Sequence, residues 1–294
     1  MNPTKLRGSP YLGISLGIVA VSFGSIFIRL ADAPSLVIAA YRLTLASLIL
    51  APAAFLRSRN ELRALTEGDL RLALLAGLFL GLHFATWITS LEYTSVASSV
   101  VFVDTHPIFV GIASHFLLRE RLSRPMLAGV LVAVLGGAII GYGSFGLGRE
   151  ELLGDLLALA GAAMAAGYLL IGRRLRPKLS LISYIFLVYA TGAVVMLALS
   201  AFAGQSFVGY SRQTYLMFLL LAVVPQILGH SSFNWALRYL SATFVSVTVL
   251  GEPIGATILA TLILREPPTL LEVVGGALIL AGIYIASQEE QRET

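Results

Sequence analysis

The sequence predicts an all-α integral membrane protein in which ten transmembrane helices form two inverted five-helix repeats. Three observations lead to this prediction: long apolar runs, an uneven distribution of basic residues, and an internal repeat. Of the 294 residues, 57% are hydrophobic and only 12% are charged, whereas soluble proteins carry about 25% charged residues. Most of the surface is therefore expected to face lipid, which makes the bilayer the first expected partner.

Apolar runs of spanning length divide the whole chain. A bilayer core requires about 20 mostly apolar residues per helix. The first run follows Lys5 and Arg7, as in a signal peptide, but it is too long and ends without a small-residue cleavage site. We therefore expect it to be a spanning helix. The ten predicted spans are 11–30, 35–56, 72–91, 95–118, 125–143, 153–171, 181–203, 215–237, 242–264 and 269–287.

The basic residues are distributed unevenly between the two sides of these spans. With the N-terminus in the cytoplasm, 15 of the 20 Lys and Arg residues lie on the cytoplasmic side, 4 lie on the opposite side, and Arg42 lies within a span. Positive residues concentrate in the cytoplasmic loops of membrane proteins. The asymmetry predicts a multi-pass protein of the cytoplasmic (inner) membrane with both termini in the cytoplasm.

The two halves of the chain are related by a shift of 146 positions, ungapped over about 45 residues. Residues 1–147 and 148–294 each contain five predicted spans, so the second half starts on the opposite side of the membrane and is inverted. Inverted repeats are characteristic of secondary transporters, because two packings of the halves expose a site to either side. The matched pairs include Pro107 with Pro253, Arg119 with Arg265, Glu120 with Glu266, Gly129 with Gly275, and Gly136 with Gly282.

A proline in the fourth span of each half, and the sequences LLRE and LILRE that close those spans, complete the pattern. On these features the chain resembles the drug/metabolite transporter superfamily, EamA type, over nearly its whole length. It is similar to bacterial exporters of amino acids, including aromatic ones, and of related metabolites. The resemblance implies a central cavity lined mainly by spans 1, 3, 4, 6, 8 and 9. It specifies the fold and the broad class of function, and it leaves the substrate open.

Two spans carry polar and aromatic side chains on one helical face. Polar groups in hydrocarbon are costly, so these faces are expected to line a cavity or contact another helix. We interpret them as the hydrogen-bonding and aromatic walls of a substrate site, and the alternative is polar contact between helices. Trp235 would add aromatic surface, although it points about 100° away from Asn234. The two faces comprise His83, Thr86, Trp87 and Ser90 in the third span, and Gln226, His230 and Asn234 in the eighth.

Pro107 and Pro253 lie at matched positions within predicted spans, and an ionisable residue, His106 or Glu252, directly precedes each one. A proline removes a backbone donor and frees the carbonyl four residues earlier. We therefore predict two kinks that act as gates, with His106 and Glu252 reaching the substrate. The alternative is a tolerated kink whose neighbouring side chain is paired locally.

Asp104 and Arg42 are candidates for a proton site or a counter-charge within the spans. Arg42 also has two structural alternatives: it snorkels to the membrane surface, or it pairs with Asp32 or Asp104. Because Arg42 is the only buried cation that the sequence predicts, a polyanionic substrate is disfavoured, since it would require several Lys or Arg groups.

These features predict a secondary transporter that exports a small metabolite, such as an amino acid, by alternating access. Two alternatives are a multidrug exporter of lipophilic cations, with Asp104 and Glu252 as counter-charges, and a non-transporting membrane receptor or scramblase. The chain has no Cys, no catalytic or metal-binding cluster and no Walker motif. The GxGxxG match at 141–146 follows a spanning helix, where a dinucleotide site requires a strand. We expect no enzyme activity, no cofactor, no nucleic-acid partner, and a monomer or weak homodimer.

Overall fold

The computed structural model describes residues 9–94, 99, 102–119, 123–142, 148–264 and 270–293. Within these ranges all regular secondary structure is helical, which confirms the all-α prediction. The first half contains α1 (Pro10–Leu30), α2 (Ser35–Arg57), the short α3 (Arg59–Arg63), α4 (Glu67–Ser90), α5 (His106–Leu117) and α6 (Arg124–Tyr142).

The second half is also helical and includes two π-helical segments. Its helices are α7 (Arg149–Leu175), α8 (Leu181–Phe202), α9 (Arg212–Leu221), a π-helix (Ala222–His230), α10 (Ser231–Ala236), α11 (Ala242–Val249), α12 (Glu252–Leu259), a second π-helix (Ala260–Leu264) and α13 (Leu270–Glu293). The first π-helix contains Pro225 and lies within the predicted eighth span, where the sequence predicted a regular α-helix.

Seven helical stretches of the described chain are long and apolar enough to cross a bilayer. They lie within Pro10–Leu30, Ser35–Arg57, Glu67–Ser90, Arg149–Leu175, Leu181–Phe202, Arg212–Ala236 and Ala242–Ile263. Shorter apolar helices at His106–Leu117, Arg124–Ile139 and Val273–Ala286 occupy the other three predicted spans. The protein is therefore a multi-pass helical membrane protein, and the total of ten spans stays a prediction.

Side-chain caps fix the starts of several described helices, including α4, α8, α9 and α11. Thr66, Ser180, Ser211 and Ser241 each accept a hydrogen bond from the backbone N–H three residues later, at distances of 3.1 to 3.3 Å. Such caps satisfy donors that the first helical turn leaves without partners. The connections before α4, α8, α9 and α11 are thus encoded by local sequence.

The helices that correspond to the fourth span of each half begin after equivalent breaks. α5 begins at His106 after a turn at 104–105, and α12 begins at Glu252 after a turn at 250–251. The shift of 146 positions superimposes these two turns. Both halves therefore interrupt the chain at the same place in the repeat.

The prolines follow these breaks. Pro107 and Pro253 are each the second residue of their helix, where a backbone donor has no intrahelical acceptor to lose. The prediction of kinks inside continuous helices is therefore wrong in position, because the backbone turns before each proline. Both prolines still mark the places where the fourth-span helices are discontinuous.

α6 and α13 pack through glycines that correspond in the repeat. A Cβ atom on Gly136 would lie 2.5 Å from the carbonyl oxygen of Gly275, and one on Gly129 would lie 2.8 Å from that of Gly282. Small residues allow this close approach of membrane helices. Because Gly129 meets the later partner and Gly136 the earlier one, the two helices run antiparallel.

Candidate substrate-binding site

The candidate site is centred on a buried contact between the two halves of the chain. Arg42 of α2 is 2% exposed, and its Nε atom donates a hydrogen bond of 2.7 Å to Oε1 of Gln226 in the first π-helix. Its guanidinium carbon lies 4.2 Å from the ring centroid of Phe84 in α4, which is a cation–π contact. The predicted alternatives for Arg42 are wrong, since it neither snorkels nor pairs with Asp32 or Asp104.

Aromatic rings from α4 extend the site. The rings of His83 and Trp87 stack with centroids 5.8 Å apart and planes 10° apart. His83 is held by Nδ1, which lies 3.0 Å from the carbonyl oxygen of Gly161 in α7. The indole Nε1 of Trp87 is buried and has no hydrogen-bond partner among the described residues. The structure therefore brings these two residues together on one face, as the spacing indicates.

Thr86 and Ser90 are occupied by local hydrogen bonds. The Thr86 hydroxyl donates to the carbonyl oxygen of Leu82 at 2.9 Å. The Ser90 hydroxyl donates to the carbonyl oxygen of Trp87 at 2.6 Å and lies 2.6 Å from the hydroxyl of Ser99. The hydroxyl groups of both residues are hydrogen-bonded within or beside their own helix, as Ser and Thr hydroxyls commonly are in membrane helices. The geometry therefore supports a place in the site less strongly for Thr86 and Ser90 than for His83 and Trp87.

His230 and Asn234 close the site from the second half. The ring of His230 lies 5.5 Å from that of Phe84 and 6.4 Å from that of Tyr168. The amide nitrogen of Asn234 donates to the hydroxyl of Tyr168 and, at 2.8 Å, to the carbonyl oxygen of His230. Nε2 of Gln226 and Oδ1 of Asn234 are buried and lack partners within the described ranges. Unpaired buried polar atoms are rare, and a ligand is one explanation for them.

Ionisable groups gather at the two helix breaks. Asp104, in the first turn, is 8% exposed, and its Oδ2 has no hydrogen-bond partner in the described part of the chain. Glu252, which follows the second turn, interacts electrostatically with both Asp104 and Arg42. His106 places Nδ1 3.1 Å from the carbonyl oxygen of Val103. Val103 lies just before the turn that precedes this helix, so His106 is paired locally.

Two matches to a known family cover almost the entire chain. Residues 8–142 and 152–288 both match the EamA-like transporter family. The chain belongs to this family. The two matched segments divide the chain at the place where the internal repeat divides it.

Relatives with similar architecture occur in bacteria and archaea. The uncharacterized transporter YetK of Bacillus subtilis is 29% identical over 236 residues, which cover 76% of this chain and 69% of that protein. An uncharacterized transporter of Archaeoglobus fulgidus is 24% identical over 285 residues, which cover 96% and 97%. A solved crystal structure matches with a TM-score of 0.77 at 20% identity over 97% of this chain and 99% of that chain, which shows a shared fold.

In this EamA-family protein, Trp235 lies apart from the other predicted site residues. An added Cβ on Gly13 of α1 would lie 2.6 Å from the Trp235 ring, and the ring makes an edge contact with Tyr239 at 5.3 Å. The side chain therefore packs on α1 and does not join the aromatic rings near Arg42. Its angular offset from Asn234 in the helix already indicated this separation.

Two further side chains, Tyr189 and Arg176, contact residues of the site, and helical spacing alone does not predict either contact. The Tyr189 hydroxyl donates to the carbonyl oxygen of Gln226 at 3.3 Å and lies 3.1 Å from the hydroxyl of Ser231. Arg176 lies in the predicted cytoplasmic connection between the sixth and seventh spans, yet it is 1% exposed and its Nε donates to the carbonyl oxygen of Asn234 at 2.8 Å. Burial lowers the pKa of Arg176 to about 10, so it stays charged at neutral pH.

Metal binding receives no support from this arrangement. Within the described residues, no group of three or more His, Asp or Glu side chains is placed to hold a metal ion. The described groups at the site offer hydrogen bonds, charges and aromatic surfaces.

Proposed function

We propose that this EamA-family protein is a secondary transporter that exports a small metabolite, such as an amino acid, by alternating access. The observation that carries the proposal is the buried contact between Arg42 and Gln226, which joins the two halves at 2.7 Å. Aromatic rings and unpaired polar atoms surround this contact. A site where two halves of a transporter meet can open to either side as the halves rock.

The inverted arrangement of ten helices in two units, 1–147 and 148–294, is part of the proposal. Its support is the packing of α6 against α13, which are equivalent helices of the repeat. They run antiparallel, since Gly129 lies against Gly282 and Gly136 lies against Gly275. Equivalent helices that run in opposite directions are what inversion of the second half requires.

The proposed site has an aromatic part and a polar part. His83, Trp87 and His230 supply ring surfaces beside Phe84. Gln226, Asn234 and Glu252 supply hydrogen-bonding groups on the opposite half, and Asp104 supplies a charge or proton site. A small molecule with one apolar face and a few polar groups would match this combination. Thr86, Ser90 and His106 act as supports for it, because their polar atoms are already hydrogen-bonded.

The breaks before Pro107 and Pro253 are the proposed gates. A turn followed by a proline allows the shorter helix to tilt without breaking hydrogen bonds of a continuous helix. Because the two breaks are equivalent in the repeat, one would act on the inner path and the other on the outer path. The side chains of Asp104 and Glu252 lie at the two breaks, so this movement would change their surroundings.

The proposed location is the cytoplasmic (inner) membrane, with both termini in the cytoplasm. The support is the asymmetry of the Lys and Arg residues. We propose that the protein works as a monomer or weak homodimer and without a cofactor. Its partners would be the bilayer and the small-molecule substrate, with no nucleic acid. No catalytic activity is needed for this function.

A multidrug exporter of lipophilic cations is the second candidate function. Asp104 and Glu252 interact with each other, and Asp104 keeps an unpaired carboxylate oxygen among the described residues. Two carboxyl groups at the helix breaks would also attract an organic cation. Arg42 opposes this alternative, because its positive charge lies close enough to interact with Glu252.

A flux assay with the purified protein in liposomes tests both candidates. Labelled L-amino acids and a lipophilic cation, tetraphenylphosphonium, are compared for counterflow in protein-containing and empty liposomes. We expect counterflow of at least one amino acid that depends on the protein. Protein-dependent flux of tetraphenylphosphonium alone would favour the second candidate, and the absence of any protein-dependent flux would contradict both.

A further inference from the structure

We propose that Arg42 is the anchor for a carboxylate group of the transported molecule. This inference rests on the transport function proposed above, and it adds the chemical class of the substrate. The substrate would carry a single carboxylate attached to an apolar or aromatic body, as an organic acid or as a zwitterion.

The guanidinium of Arg42 is held in a fixed orientation by two contacts. Its Nε donates to Oε1 of Gln226 at 2.7 Å, and its carbon lies 4.2 Å from the centroid of the Phe84 ring. The two terminal nitrogens make no hydrogen bond to any residue within the described ranges. A guanidinium presents these nitrogens as a planar fork that matches the two oxygens of a carboxylate. The group is thus oriented, and no described residue accepts a hydrogen bond from its two terminal nitrogens.

The charge of Arg42 also lacks a direct counter-ion. No carboxylate of the described residues forms an ion pair with it, and Glu252 acts on it only electrostatically. The side chain is 2% exposed, and a buried charge without a partner is unfavourable. A substrate carboxylate would supply the missing charge and two acceptors at once.

The surroundings limit the substrate to one carboxylate. Arg42 is the cation that lies beside Phe84, whereas the groups at the helix breaks, Asp104 and Glu252, are carboxyl groups. These two carboxyl groups offer no positive charge to a second carboxylate on the substrate, and either of them in its ionised form would attract an ammonium group. The ring of Phe84, with that of His230 at 5.5 Å, offers an apolar surface for the rest of the molecule.

A thermal-shift series with the purified full-length protein tests the carboxylate requirement. The probes are the 20 common L-amino acids, 3-phenylpropionate and indole-3-acetate. For each probe that raises the apparent unfolding temperature, the primary amide is compared, as is the decarboxylated amine of any amino acid. We expect at least one carboxylate to stabilise the protein and its amide to bind about tenfold more weakly or worse. The inference is overturned if no carboxylate binds, or if the amides and amines bind as well as the acids.

Two variants then test whether Arg42 makes the contact. Gln226→Glu places a carboxylate on the oriented Nε, and we expect it to weaken binding of the acid by about tenfold or more. Gln213→Glu is the matched control, because Gln213 is exposed and, among the described residues, bonds only to the carbonyl oxygen of Leu30. Arg42→Gln provides an independent variant without the charge, and it should bind acid and amide about equally. A preference for the acid that survives in both Gln226→Glu and Arg42→Gln would overturn the inference.

Flux measurements separate this inference from the transport function. If the wild type moves amines or neutral solutes and ignores carboxylates, the anchor is overturned and transport stands. If the wild type binds carboxylates through Arg42 and moves none of them in liposomes, the anchor stands and the transport function is overturned.

Discussion

Phe84 of the first half and His230 of the second half are 146 positions apart in the sequence, and their ring centroids lie 5.5 Å apart in an edge-to-face contact. In the proposed inverted repeat these two positions are equivalent, and a residue can touch its own equivalent only near the axis that relates the halves. The contact between Arg42 and Gln226 involves the same ring of Phe84. The candidate site therefore lies where movement of one half against the other would change its shape.

Replacing Trp87 is expected to reduce substrate binding specifically. Trp87→Ala removes a ring stacked on His83 and should weaken binding of an amino acid ligand by about tenfold. Trp235→Ala is the control, because the same side chain is removed from a position against α1. Calorimetry on the folded fraction of each variant measures the difference. Equal losses in the two variants, or normal binding by Trp87→Ala, would show that the site is elsewhere.

The contact between α6 and α13 is expected to tolerate no added methyl group at its centre. Gly136→Ala would place Cβ 2.5 Å from the carbonyl oxygen of Gly275, a backbone atom that cannot move aside. We expect a loss of about 1–3 kcal/mol in the free energy of unfolding, typical of overpacking.

Gly137 provides the control for this variant, since no atom lies within 4 Å of an added Cβ there. Gly137→Ala should be neutral or stabilising, because alanine favours helix by up to about 1 kcal/mol over glycine. Thermal unfolding in detergent compares the two. A Gly136→Ala variant as stable as Gly137→Ala would refute this packing of the two helices.

The prolines at the helix breaks are expected to control flux more than binding. Pro107→Ala and Pro253→Ala restore a backbone donor, which allows the helix to extend through the turn before it. We expect flux to fall roughly tenfold in each, equivalent to about 1.4 kcal/mol on the limiting barrier, while binding survives in at least one. Pro52→Ala, at an exposed position inside α2, should leave flux unchanged. Normal flux in both gate variants would mean that the breaks only serve packing.

The topology is expected to place the α6–α7 connection outside and the α2–α4 connection inside. Since native Cys is absent, single cysteines at Glu150 and Asn60 give unambiguous labels, and both positions are exposed. A membrane-impermeant maleimide should label intact cells at Glu150→Cys and, only after permeabilisation, at Asn60→Cys. The opposite pattern would reverse the proposed orientation.

Glu61 of α3 is expected to make the start of α8 sensitive to acid. Its Oε1 accepts a hydrogen bond of 2.5 Å from the Ser180 N–H, and its Oε2 accepts one of 2.8 Å from the Ser183 hydroxyl. Although partial burial raises the pKa of Glu61, these hydrogen bonds outweigh it and leave the pKa below its ordinary value. The stabilisation is therefore present above the ordinary pKa of glutamate, and it disappears as the pH falls through the lowered value.

The expected contribution of Glu61 is small, about 0.5 kcal/mol, because the carboxylate is partly exposed at a helix N-terminus. Glu61→Gln should lower the unfolding temperature at pH 7 and reduce its dependence on pH in the acid range. Glu67→Gln, at an exposed residue paired with Arg71, is the control. Identical pH profiles for wild type and Glu61→Gln would contradict the assignment.

Much of the architecture follows from the sequence alone. Helices that cross the hydrocarbon core must be long and apolar, and their backbone groups must be hydrogen-bonded internally. The sequence alone therefore predicts the pattern of spans, the all-α fold and the multi-pass character. The shift of 146 positions and the family resemblance were also visible there, and the family is confirmed. For the same reason His83 and Trp87 were placed correctly on one face, since helical spacing alone determines that relation.

The tertiary structure decided which groups meet across helices. Arg42 and Gln226 are 184 positions apart in the sequence, and no spacing rule connects residues on different helices. The π-helix at Ala222–His230 and the breaks before Pro107 and Pro253 shift the local register, which a regular 3.6-residue period cannot predict. The burial of Arg176 and the separation of Trp235 from the site depend in the same way on which neighbour packs against each helix. Local periodicity determines the faces of a helix, and only packing determines what each face contacts.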